Sequence, residues 1–284
     1  MTEAAPVITR FAPSPSGQLH LGHAHAALFA QRAAEEAGGR FLLRIEDIDP
    51  GRCRPAFEAA IFEDLAWLGL NWEEPPRRQS DHMADYRKAL ERLDGLGLLY
   101  PCFCTRKEIQ EEIQRAAEAP HGPDGPLYPG ICRQLAPEVR AQLKAAGKAY
   151  ALRLNMAAAI AQAGPLIWED EAKGTQMAEP GLFGDVVLAR KDVATSYHLA
   201  VTLDDADQGI SLVTRGEDLF AATHVHRLLQ ALLCLPLPRW HHHGLLCDAE
   251  GRRLAKRHDA LSLRALREAG ERPAAVRAMA GFPD

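Results

Sequence analysis

The chain has 284 residues, 47% of them hydrophobic and 25% charged, enough apolar material for one large domain or for one domain carrying an insertion. Its formal charge of -5 argues against a uniformly basic nucleic-acid binder and leaves room for a local basic patch. No window reaches the ~18 apolar residues of a membrane helix, and MTEAAPVITRFAPSP lacks a basic segment followed by an apolar one, so a cytoplasmic protein without membrane contact is expected.

In chain order, residues 7–11 read as a short buried strand, and residues 12–18 as a loop broken by Pro13, Pro15 and Gly17. An Ala-rich helical pattern over 20–37 and a strand over 40–47 complete a βαβ unit with parallel strands, in which ligands collect beyond the carboxyl ends of the strands. Amphipathic helices are predicted at 55–68 and 81–96. Strands are predicted at 150–154, 185–190 and 210–215, a helix at 217–233, and two short helices within 261–280. The division expected is a first half of the main domain over 1–99, an insertion over 100–147, a second half over 148–250, and a loop with C-terminal helices over 251–284.

Two histidines three apart, His20 and His23, open the first helix after the loop and share one of its faces. Helix N-termini attract phosphate through unpaired N–H groups and the dipole, and Gly22 lets a nucleotide approach the backbone. Arg10 and Glu46 lie near the ends of the first two strands, and Arg215 ends the apolar run ISLVTR, so the three can converge at one sheet edge. The alternative for Arg10 and Glu46 is an interior ion pair across neighbouring strands. Of six cysteines, Cys102, Cys104 and Cys132 approach a metal-binding cluster, with Tyr128 or His121 as a fourth donor. Cys53, Cys234 and Cys247 read as structural, and His241 to His243 have no cysteine or carboxylate at ligand spacing.

RFAPSPSGQLHLGH resembles the first signature of class I aminoacyl-tRNA synthetases in its glutamyl form, with HLGH where the family has HIGH. FLLRIEDIDPGR, residues 41–52, resembles the block that follows it. GRRLAKRHDA, residues 251–260, resembles the mobile KMSKS loop, with Arg253 at the first lysine, Ala255 at the serine and Arg257 at the final position. The resemblance implies an α/β fold: a Rossmann-like parallel sheet with an inserted zinc-containing subdomain and a short helical C-terminal part. It implies ATP, with magnesium, at His20, Gly22, His23 and Lys256, of which His20, His23 and Lys256 are catalytic. L-glutamate is implied against Arg10, Phe11, Ala12, Pro13, Ser14, Glu46, Tyr197 and Arg215. One branch of the family carries the order cysteine, cysteine, tyrosine, cysteine, which implies a structural zinc on Cys102, Cys104, Tyr128 and Cys132.

Full-length glutamyl enzymes continue into an anticodon-binding region after the second signature, whereas a short stretch follows Ala260. The resemblance is therefore to the short branch, whose members activate glutamate without tRNA and pass it to the queuosine base at the wobble position of tRNA(Asp). ATP, glutamate and queuosine-bearing tRNA(Asp) are the partners this implies, for a monomeric enzyme. The rivals are an ordinary glutamyl core charging a tRNA 3′ end, a catalytically silent module descended from one, and nucleotidyl transfer on an unrelated small acid, which would not call for Arg10, Glu46 and Arg215 together.

Overall fold

The computed structural model describes residues 6–115, 121–246 and 262–283. The chain opens with β1 (Ile8–Phe11), α1 (Leu21–Glu36), β2 (Arg40–Ile45), α2 (Pro55–Trp67), β3 (Glu73–Arg78) and α3 (Met83–Gly95). β1 and β2 pair in parallel with Arg10 opposite Leu42, the βαβ unit expected. Ala24, Ala27, Ala30 and Ala34 form the buried face of α1, so the helix lies close against the sheet, and a larger side chain there would cost ~1–3 kcal/mol through overpacking. Gly39 makes the return possible, because a Cβ at this position would stand 1.9 Å from the Val7 carbonyl oxygen.

β3, sequence EEPPRR, was not expected as a strand. It pairs parallel to β2, and the register shifts between Leu42 and Arg44, opposite the two prolines. β3 lies at the sheet edge, where prolines that cannot donate to a ladder are tolerated.

Next come β4 (Leu99–Cys102), α4 (Arg106–Arg115), β5 (His121–Gly122), β6 (Gly125–Pro126), α5 (Pro137–Ala145), β7 (Ala151–Leu154), α6 (Met156–Ala163), β8 (Ile167–Asp170), β9 (Gly174–Met177) and β10 (Val187–Ala189). β4 and β10 flank β7 antiparallel, so these three strands form a small sheet of their own, and the strands expected at 150–154 and 185–190 join it instead of the parallel sheet. The chain then runs through α7 (Tyr197–Asp207), β11 (Leu212–Gly216), α8 (Ala222–Leu233), β12 (Arg239–His243), α9 (Leu263–Glu268) and α10 (Pro273–Met279). β12 pairs in parallel with both β11 and β8. The Ile8 carbonyl accepts from the Ser211 N–H at 3.1 Å, and the Ile8 N–H donates to the Ser211 hydroxyl at 2.9 Å. These bonds set the two parallel groups side by side in the order β3-β2-β1-β11-β12-β8. The strand order reverses between β1 and β11, where crevices form in doubly wound sheets. Leu263, Leu266, Val276 and Phe282 share one core with the buried alanines of α1. Among the described residues no helix is long and apolar enough to cross a membrane.

Candidate active site

A cavity of about 610 Å³ opens at that reversal, lined from β1 and its loop by Arg10, Phe11 and Ala12, and from the start of α1 by His20, Gly22 and His23. Glu46 follows β2, Tyr197 begins α7 and Arg215 lies in β11, and all three side chains join the lining. The tertiary fold thus brings together nine expected residues from five parts of the chain. Pro13 and Ser14 do not line it. The Pro13 carbonyl accepts from the Glu46 N–H at 3.0 Å, which ties the loop to the end of β2, and Ser14 is exposed with its hydroxyl 3.8 Å from Cys53 Sγ.

The two histidines of HLGH form a reciprocal cap. His20 is the N-cap of α1, and its Nδ1 accepts from the Gly22 N–H at 3.1 Å, while His23 Nδ1 accepts from the His20 N–H at 3.2 Å. N–H groups that would otherwise be orphaned at the helix start are thereby satisfied, and the ring centroids are held 3.9 Å apart. Gly22 suits this arrangement, since a Cβ there would stand 3.1 Å from the His20 ring and press on it.

Residues 247–261, which include Lys256, Arg253, Arg257 and Cys247, lie outside the described residues. Their flanks are placed: Leu246 lines the cavity, and Ser262 bridges to His20. The described residues that flank this segment therefore lie beside the first signature.

Charge beneath the cavity is closely matched. Arg10 grips Asp205 through Nε at 2.8 Å and Nη2 at 3.3 Å, and gives Nη1 to the Thr214 carbonyl at 3.0 Å. Arg44, fully buried, reaches Asp205 at 2.7 Å and Glu46 at 3.1 Å. Arg77 holds Asp204 at 2.8 Å, which also accepts from the Tyr86 hydroxyl and from Gln79. An ion pair between Arg10 and Glu46, the alternative for these two residues, does not form among the described residues. Instead Asp205 takes Arg10, and Glu46 pairs with Arg44. Burial pushes the Glu46 carboxyl up despite Arg44 and Arg10. Burial also opposes the Asp205 carboxylate, but Arg10 and Arg44 hold its pKa below the usual range.

Arg215 is different. Its Nε donates to His242 Nε2 at 3.1 Å, Nη1 to His226 Nδ1 at 3.2 Å and Nη2 to the Thr223 hydroxyl at 2.5 Å. Among the described residues no carboxylate forms a salt bridge with it, although its side chain is buried. A guanidinium bonded to neutral side chains keeps its charge for a ligand, and His242, His226 and Thr223 account for three of its five N–H donors.

Asp205, Arg44 and His226 are not singled out by the sequence, and His242 falls in a triplet that the sequence reading sets aside. Arg44 left a signal, because an arginine inside the apolar strand FLLRI demands a buried counter-charge. His242 lies in the triplet for which no carboxylate was visible, yet its Nδ1 is 2.5 Å from Asp170 Oδ2, 72 residues away.

In the small sheet, the sulfurs of Cys102, Cys104 and Cys132 lie within 4.8 Å of one another. The Tyr128 hydroxyl is 3.4 Å from Cys102 Sγ and 3.7 Å from Cys104 Sγ, and Arg153 stacks 3.8 Å over the Tyr128 ring. His121 sits on β5 and is not a member of this cluster. Burial opposes ionisation of Cys102, but Tyr128 and Arg153 hold its pKa below the usual thiol value, while burial and Cys132 push Cys104 up to about 12. Three sulfurs and a phenolic oxygen converging on one point suit a four-coordinate metal, and metal binding would draw off the remaining thiol protons. Cys53 is half-buried and Cys234 exposed.

The family described as "tRNA synthetases class I (E and Q), catalytic domain" matches residues 6–281. The chain belongs to this class I synthetase family. A "Glutamyl-Q tRNA(Asp) synthetase" of Rhodobacter capsulatus is 50% identical over 281 residues, covering 97% of this chain and 100% of that protein. A "Glutamate--tRNA ligase 2" of Nitrosococcus oceani is 39% identical, covering 94% of this chain and 57% of the ligase. Among solved structures, a glutamate tRNA ligase from Elizabethkingia meningosepticum, in complex with its amino acid, superposes with a TM-score of 0.76 at 28% identity. It covers 89% of this chain and 52% of that one. The class I fold of this family member is thus an α/β fold with a parallel sheet, as the resemblance implied.

Proposed function

We propose that this synthetase activates L-glutamate with ATP in the cavity and transfers it to the queuosine base of tRNA(Asp). The observation that carries the amino-acid half is Arg215, a buried guanidinium facing the cavity with no carboxylate partner among the described residues. A substrate carboxylate completes it, as the carboxylates of Asp205 and Glu46 complete Arg10 and Arg44. Glu46, whose single described ion pair is with Arg44, supplies an acceptor for the substrate ammonium, and Arg10 and Tyr197 supply further donors around the amino acid. Phe11 and Ala12 form the wall beside them, with Pro13 and Ser14 supporting that loop from behind.

ATP lies along the start of α1, with its phosphates at His20, Gly22 and His23 and with Lys256 brought from the second signature. Magnesium, bound with ATP, supplies further neutralisation of phosphate charge. A carboxylate oxygen of glutamate attacks the α-phosphorus, the bond to the β-phosphate breaks, and pyrophosphate leaves. His20, His23 and Lys256 stabilise the charge that develops on it. A hydroxyl of the queuosine cyclopentene diol then attacks the activated carbonyl and AMP departs. The acceptor assignment rests on the Rhodobacter capsulatus relative, named for that reaction and matched over its whole length.

Cys102, Cys104, Tyr128 and Cys132 hold a structural zinc, which the donor set fits. The proposed division of the chain is 1–99, 100–147, 148–250 and 251–284, with the small sheet of β4, β7 and β10 crossing its second boundary, and the protein is proposed to be a cytoplasmic monomer.

The test is glutamate-dependent exchange of pyrophosphate into ATP without tRNA, followed by transfer to tRNA(Asp) bearing either queuosine or guanosine at the wobble position. Transfer to the queuosine form alone, surviving removal of the 3′ terminal adenosine, is expected. Transfer to tRNA(Glu) that disappears when its 3′ end is oxidised would establish ordinary glutamyl charging instead.

A further inference from the structure

The acceptors around Arg215 form a continuous chain, buried except at the half-buried His198. Asp170 Oδ2 meets His242 Nδ1 at 2.5 Å, His242 Nε2 accepts from Arg215 Nε at 3.1 Å, and Arg215 Nη1 donates to His226 Nδ1 at 3.2 Å. His226 Nε2 then meets His198 Nδ1 at 3.1 Å. The chain draws on five elements: β8 gives Asp170, β12 gives His242, β11 gives Arg215, α8 gives His226 and α7 gives His198.

The tautomers of the two imidazoles that touch Arg215 follow from its donors, and the Thr223 hydroxyl, which accepts from Arg215 Nη2, also lies 3.2 Å from His242 Nε2. Arginine has no acceptor, so the nitrogens facing Arg215, His242 Nε2 and His226 Nδ1, must carry lone pairs. His242 therefore bears its proton on Nδ1 and donates to Asp170, and His226 bears its proton on Nε2 and donates to His198. Both imidazoles are neutral in this arrangement. Burial acts in the same direction, lowering His226 well below the ordinary value and His242 to about 4, with Arg215 adding to both shifts.

The consequence concerns charge. Arg10, Arg44 and Arg77 are each gripped by a carboxylate, which orients them and also cancels them. Arg215 is oriented as firmly, yet its nearest acidic partner in the chain, Asp170, is one imidazole removed. We infer that His226 and His242 are positioning residues that fix Arg215 with neutral lone pairs, so that its charge, bonded to no carboxylate among the described residues, is presented to the carboxylate of the amino-acid substrate. This rests on the proposed glutamate site.

The device makes a demand that a purely structural contact does not: the side chain must accept from Arg215 while donating to the residue behind. Glutamine can do both through one amide, and leucine can do neither. In pyrophosphate exchange, His226→Leu should raise the glutamate KM about tenfold to a hundredfold, the loss expected for a hydrogen bond to a charged group. Its ATP KM and kcat should stay within about twofold. His226→Gln should recover most of the glutamate KM, and the pair His242→Leu and His242→Gln should behave alike. Melting temperatures of all four variants separate lost folding from lost binding, and calorimetric titration of glutamate alone onto each folded variant gives the same ranking without turnover. A His226→Leu protein that is folded and keeps the wild-type glutamate KM, or a His226→Gln protein no better than His226→Leu, overturns the inference while leaving the glutamate site standing. Absence of glutamate-dependent exchange in the wild type overturns both.

Discussion

Arg10 and Arg215 line the same cavity, but Asp205 lies 2.8 Å from Arg10 Nε whereas the nitrogen facing Arg215 Nε at 3.1 Å belongs to a neutral imidazole. The two arginines are therefore unequal, one compensated within the protein and one awaiting a ligand.

That inequality predicts the outcome of replacing each. Arg215→Ala should weaken glutamate use by well over tenfold, because removing a charged hydrogen bond from a buried site costs on the order of 2–5 kcal/mol. Arg215→Lys should not restore it, since an ammonium cannot reach His242, His226 and a substrate carboxylate together. Arg10→Ala should also lower the melting temperature, because it strips a partner from buried Asp205. Exchange assays and thermal melts on the three variants check this, and a glutamine-dependent exchange equal to that with glutamate would remove Arg215 from the amino-acid site.

Lys256→Ala is expected to lower the rate of adenylate formation on the order of a hundredfold while glutamate binding changes little, as for a charge needed mainly when pyrophosphate departs. Single-turnover kinetics beside equilibrium glutamate binding measure the two effects. Unchanged turnover would give the role to Arg253 or Arg257.

About one zinc per chain is expected in freshly purified protein. It should be lost from Cys102→Ser and Cys132→Ser variants together with thermal stability. Tyr128→Phe should weaken zinc retention against a chelator, and His121→Ala should not, since His121 stands outside the sulfur cluster. Metal analysis by mass spectrometry decides each case.

Stability should fall as the medium is acidified. Burial and Arg215 hold His242 at about 4, against 6.5 for an ordinary histidine, and burial does the same to His198. Between those values the unfolded chain binds protons that the folded chain refuses, so stability rises with pH across the window and is lost as pH drops from about 6.5 toward 4. A melting series over that range should show the slope, and His242→Gln should make it shallower. A flat series would place these histidines in a wetter environment.

The sequence by itself determined what is local. The strand, loop and helix around HLGH follow from spacing and from Pro13, Pro15 and Gly17, and the caps formed by His20 and His23 join residues within three positions of each other. The placing of Arg10, Glu46 and Arg215 at one edge was legible too, because strand ends in a parallel sheet share a side.

Only the tertiary structure decided which charges cancel. Arg10 and Asp205 are 195 positions apart, and His242 and Asp170 are 72 apart, so no periodicity links them. Their meeting depends on α7 and β8 packing beside β1 and β12. The edge strand Glu73–Arg78 was hidden for a related reason: its charged, proline-containing sequence argues against a strand, and pairing along the exposed edge of β2 overrides that local preference. Local chemistry marked the site, and long-range packing set the charge it presents.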